Sequence, residues 1–204
     1  MGYLDRVRKP RVSRETRETE IVEAAIRCVL RSGFHGSSMD AIAREAGISV
    51  GMIYRYFSSK EAIIEHIVAA DIAGLQMAIT GIHAMSDAAL AAAVVDDADR
   101  ILGKQQSSER SALRLEIYAE AARNPKVAAI VNRFAAAERE AVCLLLAKTS
   151  SGALAGADLE AHADLFRILV DGMLAFGLYE HAPNRPAVIG ALKDLLRCLI
   201  APKA

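Results

Sequence analysis

Residues 37–64 read SSMDAIAREAGISVGMIYRYFSSKEAII, and they fit two helical patterns into about twenty positions with only AGIS between them. Serines and glycines set that geometry. Ser37, with Asp40 three residues on, forms a capping box that opens a helix. Met39, Ile42, Ala43 and Ala46 recur at helical spacing and form its buried face. Gly47 stops it where a left-handed residue is needed. Ser49 caps a second helix, expected over 50–57. Ser58 and Glu61 form another capping box, with Phe57 and Ala62 as the hydrophobic staple of a further helix.

The rest of the chain keeps the helical period, and no segment alternates as a strand would. A helix is expected over about 16–31, with Ile21, Val22, Ala25, Ile26, Val29 and Leu30 as one stripe and Gly33 at its end. Longer helices are expected over about 59–83, 87–105, 110–123, 126–148, 159–180 and 187–200. Asn124–Pro125, TSSGALAGA and HAPNRP separate the later ones. The fold class is all-α, with about nine helices. The organisation changes near 65–70, from short helices to long amphipathic ones. The expected division is a basic arm at 1–15, a compact three-helix part at 16–66 and a long-helix part at 67–204.

Formal net charge is zero, so overall charge gives no reason to expect a polyanion. Its distribution does. Between Arg6 and Arg17 stand Arg6, Arg8, Lys9, Arg11, Arg14 and Arg17 against Glu15 alone, whereas 67–204 carries 14 basic and 16 acidic side chains. The bland reading of the arm is a solvated terminus. Cys28, Cys143 and Cys198 are far apart and odd in number, which reads as reduced thiols in a cytoplasmic protein. No apolar run follows the N-terminal charges, and no uncharged apolar run reaches about 18 residues, so no membrane partner is expected.

No G-x-S-x-G, H-E-x-x-H, P-loop or Glu-x-x-His pattern is present, so the chain reads as a non-enzyme without a cofactor. The segment DLEAHAD groups Asp158, Glu160, His162 and Asp164. Helix N-termini are ordinarily acidic, however, and no metal site is assigned there.

The helix after Ser49 is the informative one. Ile53 and Phe57 share its inward face. Gly51, Tyr54, Arg55 and Ser58 then point away, with Met52 and Tyr56 at the flanks. A glycine inside a helix costs about 1 kcal/mol against alanine, so Gly51 makes sense where something approaches the backbone. Lys60 stands in the first turn of the next helix, where the macrodipole disfavours a cation and welcomes an anion. A helix, a glycine turn and a short second helix make a helix-turn-helix, which seats its second helix in the DNA major groove.

The segment from about Glu20 to Val68 resembles the DNA-binding domain of the tetracycline-repressor (TetR) family. The resemblance rests on the glycine after the first helix, IAREAGIS, G-x-I-Y-x-Y-F and S-K-E, and it covers about a quarter of the chain. It implies that Ser38 touches a phosphate, with Ser37 beside it. Ser49, Val50, Gly51, Met52 and Arg55 would line the groove, and Tyr54, Tyr56 and Lys60 would hold backbone. Val50 and Met52 stand where the family often has polar or small side chains. That leaves thymine-methyl contact, Arg55 and DNA shape to carry specificity. Taken singly, Tyr56 also reads as packing on the next helix, Met52 as filler and Lys60 as a solvated charge.

The resemblance also implies that the remaining helices bind a ligand and dimerise. The expected homodimer face is Leu165, Ile168, Leu169, Gly172, Met173 and Phe176 with Leu192, Leu195, Leu196 and Leu199. The competing reading is a central helix buried within one protomer. The expected effector lining is Met77, His83, Arg114, Leu115, Tyr118, Phe134, Met173 and Phe176. On a helix face such residues are more often plain core. The functional expectation is a repressor that binds a palindromic double-stranded operator as a dimer and is released by a small, mostly apolar effector. The alternative is an all-helical small-molecule-binding protein that does not bind DNA.

Overall fold

The computed structural model describes residues 13–90, 92–93, 108–176 and 185–200. Among them the backbone is helical or turn, with no strand. The helices are α1 (Arg14–Gly36), α2 (Met39–Glu45), α3 (Val50–Ile53), α4 (Lys60–Ala84), α5 (Ser108–Ala121), α6 (Pro125–Thr149), α7 (Gly156–Phe176) and α8 (Arg185–Ile200). Helical backbone also occupies 87–90 and 92–93. The chain divides into two compact units, Met1–Ile63 and Ile64–Ala204. Residues 1–12 of the expected arm at 1–15, much of the helix at 87–105 and the segment 177–184 lie outside the described residues.

In the first unit, α1 starts earlier than the pattern suggested. The Ser13 hydroxyl accepts from the Thr16 N–H, so Arg14 is already helical. Gly33 breaks the helical backbone, as the pattern suggested, and the chain kinks there before a last short turn to Gly36. The Gly33 φ of 69° with ψ of 165° is a conformation essentially reserved for glycine. The bend turns Phe34 into the core, where its carbonyl accepts from the Lys60 amine at 2.7 Å and its ring lies 4.5 Å below that cation. Ser37 is buried and donates to the Gly33 carbonyl at 2.8 Å. It therefore cannot cap α2. Ser38 does so, accepting from the Ala41 N–H at 3.0 Å.

Gly47 (φ 66°) closes α2. Ile48 N–H reaches back to the Ala43 carbonyl and Gly47 N–H to that of Arg44, which satisfies the last carbonyls of the helix. Ser49 caps α3 through the Met52 N–H. The α-helical part of α3 is four residues, shorter than expected. After Ile53 the bonds tighten, Arg55 N–H to Met52 and Tyr56 N–H to Ile53, so the chain turns through 54–56 toward α4. Ser59, not Ser58, accepts from the Ala62 N–H at the start of α4. The core of this unit includes Ile21, Ala24, Cys28, Phe34, Ile42, Ala43, Ile53 and Phe57, and α2 packs on both α1 and α3.

In the second unit, α6 packs against α5 and α7. Asn124 caps α6, with Pro125 at its first position, where a missing N–H costs nothing. At the other end, Ser150 donates to Ala147 and accepts from Leu154 N–H. Val142, Leu146, Leu154 and Ala163 make a dry cluster there with Cys143, Leu159 and Phe166. The Lys148 amine caps the end of α4 through the carbonyls of Ile82 (2.8 Å) and His83 (3.2 Å). Arg133 pairs with Glu65 further up α4.

By length and composition α4 is apolar enough to cross a membrane. Asp71 interrupts its sequence, so it contains no uncharged apolar run of about 18 residues. Core helices pass the same test.

The fold makes one energetic demand plain. Ile53 is fully buried and is the buried side chain of the α-helical part of α3. Ile53→Ala should cost about 3 kcal/mol, read as a lowered urea midpoint. A loss below about 1 kcal/mol would mean that Ile53 does not anchor α3.

Candidate functional site

On the first unit the outward face of α3 is built by what Ile53 and Phe57 leave behind. Tyr54 is 53% exposed, and Val50, Arg55 and Ser49 are exposed beside it. Gly51 is exposed, and a Cβ built on it would meet nothing within 4 Å. The chain itself therefore supplies no packing reason for a glycine inside this helix. Ser38 and Ser49 sit at the exposed starts of α2 and α3. Each hydroxyl accepts one backbone N–H and retains its own proton to donate. Met52 is half-buried. Tyr56 is half-buried too, with the Arg14 guanidinium 5.8 Å from its ring centre.

Two expected members change role. Ser37 is turned into the core by its bond to Gly33 and offers nothing to a partner. Lys60 is half-buried, and its ammonium is committed in part to the Phe34 carbonyl and ring. Positive charge stays at this helix start, but Lys60 also works as a clamp within the unit.

On the second unit the expected lining divides. Arg114, Tyr118 and Phe134 come together, with the Arg114 guanidinium 5.8 Å from the Tyr118 ring and 5.0 Å from that of Phe134. Met77 does not join them. It is 72% exposed, and His83 is exposed at the far end of α4, where its carbonyl serves Lys148. Leu115 is on the exposed side of α5. The side chains of Met173 and Phe176 lie outside the described residues.

Three residues absent from the sequence reading complete the cluster. Arg114 donates to Glu138 (2.8 Å) and to the Tyr118 hydroxyl (3.1 Å), and Tyr118 donates to Asp171 (3.3 Å). Arg167 Nε lies 3.5 Å from the other Glu138 oxygen, yet that buried nitrogen makes no hydrogen bond among the described residues. The overlooked signal was spacing. Arg114/Tyr118, Phe134/Glu138 and Arg167/Asp171 are each four apart on α5, α6 and α7, so each pair shares a helix face.

Electrostatics follow the geometry. Burial works against the Arg114 charge, but Glu138 and Tyr118 outweigh it and hold the guanidinium above the usual arginine range. Burial pushes the Tyr118 phenol up, against the opposing pull of Arg114.

A second exposed surface runs along α7 and α8. Ile168 is 66% exposed and Leu165, Val188 and Leu195 are exposed with it, while Leu169 is half-buried. Gly172 on α7 and Gly190 on α8 are also exposed, with open space where a Cβ would stand. Leu192 and Leu196 depart from expectation. They are buried within the chain, so the apolar face that α8 offers outward is carried by Val188 and Leu195. The Leu199 side chain lies outside the described residues.

A helix-turn-helix with an open recognition face, followed by a helical bundle, defines a class of bacterial regulatory protein. Residues 21–67 match "Bacterial regulatory proteins, tetR family", and residues 85–200 match "Tetracyclin repressor-like, C-terminal domain". The chain belongs to the TetR family.

Among curated relatives, the HTH-type transcriptional regulator UidR of Escherichia coli is 36% identical over 117 residues, which is 55% of this chain and 56% of that protein. The chain thus matches about half the length of these relatives. Among solved structures, Salmonella enterica GusR aligns over 96% of this chain and 99% of its own, with TM-score 0.73 and 25% identity. FadR from Bacillus subtilis, solved in complex with stearoyl-CoA, shares the fold at 19% identity, with TM-score 0.65 over 87% of this chain and 96% of its own.

The raised Tyr118 phenol has a measurable consequence. In the unfolded chain a tyrosine ionises near pH 10. Below that pH both states keep the proton and stability is level. Above it the folded state still holds the proton, so stability falls as pH rises through the raised value. Absorbance titration should show a late-ionising tyrosine that disappears in Tyr118→Phe. All tyrosines ionising together near pH 10 would contradict the burial described.

Proposed function

We propose that the chain is a ligand-responsive transcriptional repressor. It binds a palindromic operator as a homodimer through the α3 face and releases it when a small, mostly apolar effector binds the second unit. The carrying observation is the exposed face of Gly51, Tyr54 and Arg55, opposite the buried Ile53. A gap above Gly51 lets the helix sit deep in a groove. Arg55 and Tyr54 reach base edges and phosphates, and the capping serines donate to the backbone. As a regulator of this type it works in the cytoplasm, with DNA, a second copy and the effector as partners.

The exposed apolar side chains of α7 and α8, with Gly172 and Gly190 among them, support a two-fold interface of paired helices. Such a dimer sets its recognition helices about 34 Å apart, one turn of DNA. The bundle of α5, α6 and α7 supports an effector site, with Phe134 as its apolar wall and Arg114 and Tyr118 as polar anchors. An effector that favours a different angle of α4 would move the two recognition helices out of register with successive grooves.

The test is a gel shift with duplex DNA from upstream of the protein's own gene, run over a salt series. Affinity should fall steeply with salt. Tyr54→Ala and Arg55→Ala should each weaken binding about tenfold or more with the fold intact. Gly51→Ala should raise thermal stability by about 1 kcal/mol and still weaken the complex. A helical binding protein without DNA contact would lose nothing in any of them. Ile168→Glu should convert a dimer to a monomer in sedimentation, and an unchanged dimer would place the interface elsewhere.

A further inference from the structure

The polar cluster between α5, α6 and α7 has more than it needs for holding helices together. Arg114 is engaged by Tyr118 through Nε and by Glu138 through a terminal nitrogen, whereas Arg167 meets Glu138 only as an ion pair at 3.5 Å among the described residues. Arg167 Nε is already buried with its demand unmet. A buried donor without an acceptor costs free energy unless something else supplies the acceptor.

We infer that this cluster is the head-group end of the effector site and takes the carboxylate of a small organic acid, held by Arg167 and Arg114 beside Glu138. The inference rests on the reading of the second unit as the effector module. Three features select that chemistry. The missing partner is an acceptor, and the planar fork of arginine fits a carboxylate at two points. Glu138 shows that one carboxylate already fits between these guanidiniums, one oxygen toward each. The charges of Arg114 and Arg167 balance those of Glu138 and Asp171, and Asp171 is engaged by the Tyr118 hydroxyl, so an incoming acid meets no net negative charge within the cluster. A cationic ligand would bring no acceptor to the Arg167 Nε. Phe134, stacked under Arg114, gives the apolar body of such an acid a wall to lie against.

The test is calorimetric titration of the full chain with butyrate, octanoate, benzoate and phenylacetate, each against its primary amide. At least one acid should bind about tenfold tighter than its amide, as a charge-assisted hydrogen bond to arginine requires. Arg167→Gln should abolish that preference while circular dichroism remains native. Should Arg167→Gln fail to fold, Arg167→Lys decides, because it keeps the charge and loses the planar donor; it should weaken the acid and leave the amide alone. Amides that bind as well as acids, an acid preference that survives the variant, or four acids that all fail to bind would each overturn the inference. Calorimetry uses no DNA, so absent operator binding in the gel shift would defeat the regulatory reading without deciding this one.

Discussion

The burial of one isoleucine governs what the first unit can present. A four-residue helix has too few internal hydrogen bonds to hold itself. Ile53, with no exposed surface, and Phe57, with almost none, fix α3 and the turn after it to the core of the unit. Because side chains about a turn apart share a face, fixing Ile53 and Phe57 inward forces Gly51, Tyr54 and Arg55 outward. The outward face of α3 is thus a consequence of the core. The bend at Gly33 serves the same end, since it turns Phe34 inward and places its carbonyl where Lys60 can clamp it.

In the second unit polar ties help to place α4. Lys148 and Arg133 on α6 hold α4 at two places, one at its terminal carbonyls and one at Glu65. Much of the surface of α4 in this unit is exposed, and Met77 stands out from it. Exposed ion pairs contribute little stability, so such ties position a helix without locking it. The Arg114–Glu138–Arg167 cluster ties α5, α6 and α7 to one another.

How much of this was legible from residues alone depended on the range of the interaction. The all-helical class, the turn at Gly47, the inward pair Ile53 and Phe57 and the outward Tyr54 and Arg55 follow from local spacing, and the sequence carries that spacing openly. The caps were legible only to within a residue. Ser37–Ser38 and Ser58–Ser59 are doublets with equal local chemistry, and the tertiary bond from Ser37 to Gly33 decides the first. Lys60 looked like a pure anion contact because the Phe34 carbonyl is 26 residues away in sequence. The side-chain cluster of the second unit is legible in part. Arg114, Tyr118 and Phe134 meet, whereas Met77 and His83 were chosen by residue type and lie elsewhere. Glu138, Arg167 and Asp171 were missed because charge on a helix ordinarily signals solvent. On α8, Leu192 and Leu196 read as interface because a helix apolar around much of its girth does not say which side its own protomer covers.

The most direct test of the central claim is a crystal structure of the chain bound to a duplex that it retains in a gel shift. The account predicts α3 in the major groove, the Gly51 backbone against the duplex and Tyr54 and Arg55 within hydrogen-bonding distance of phosphates or base edges. A complex in which those side chains remain in solvent while another surface holds the DNA would contradict it.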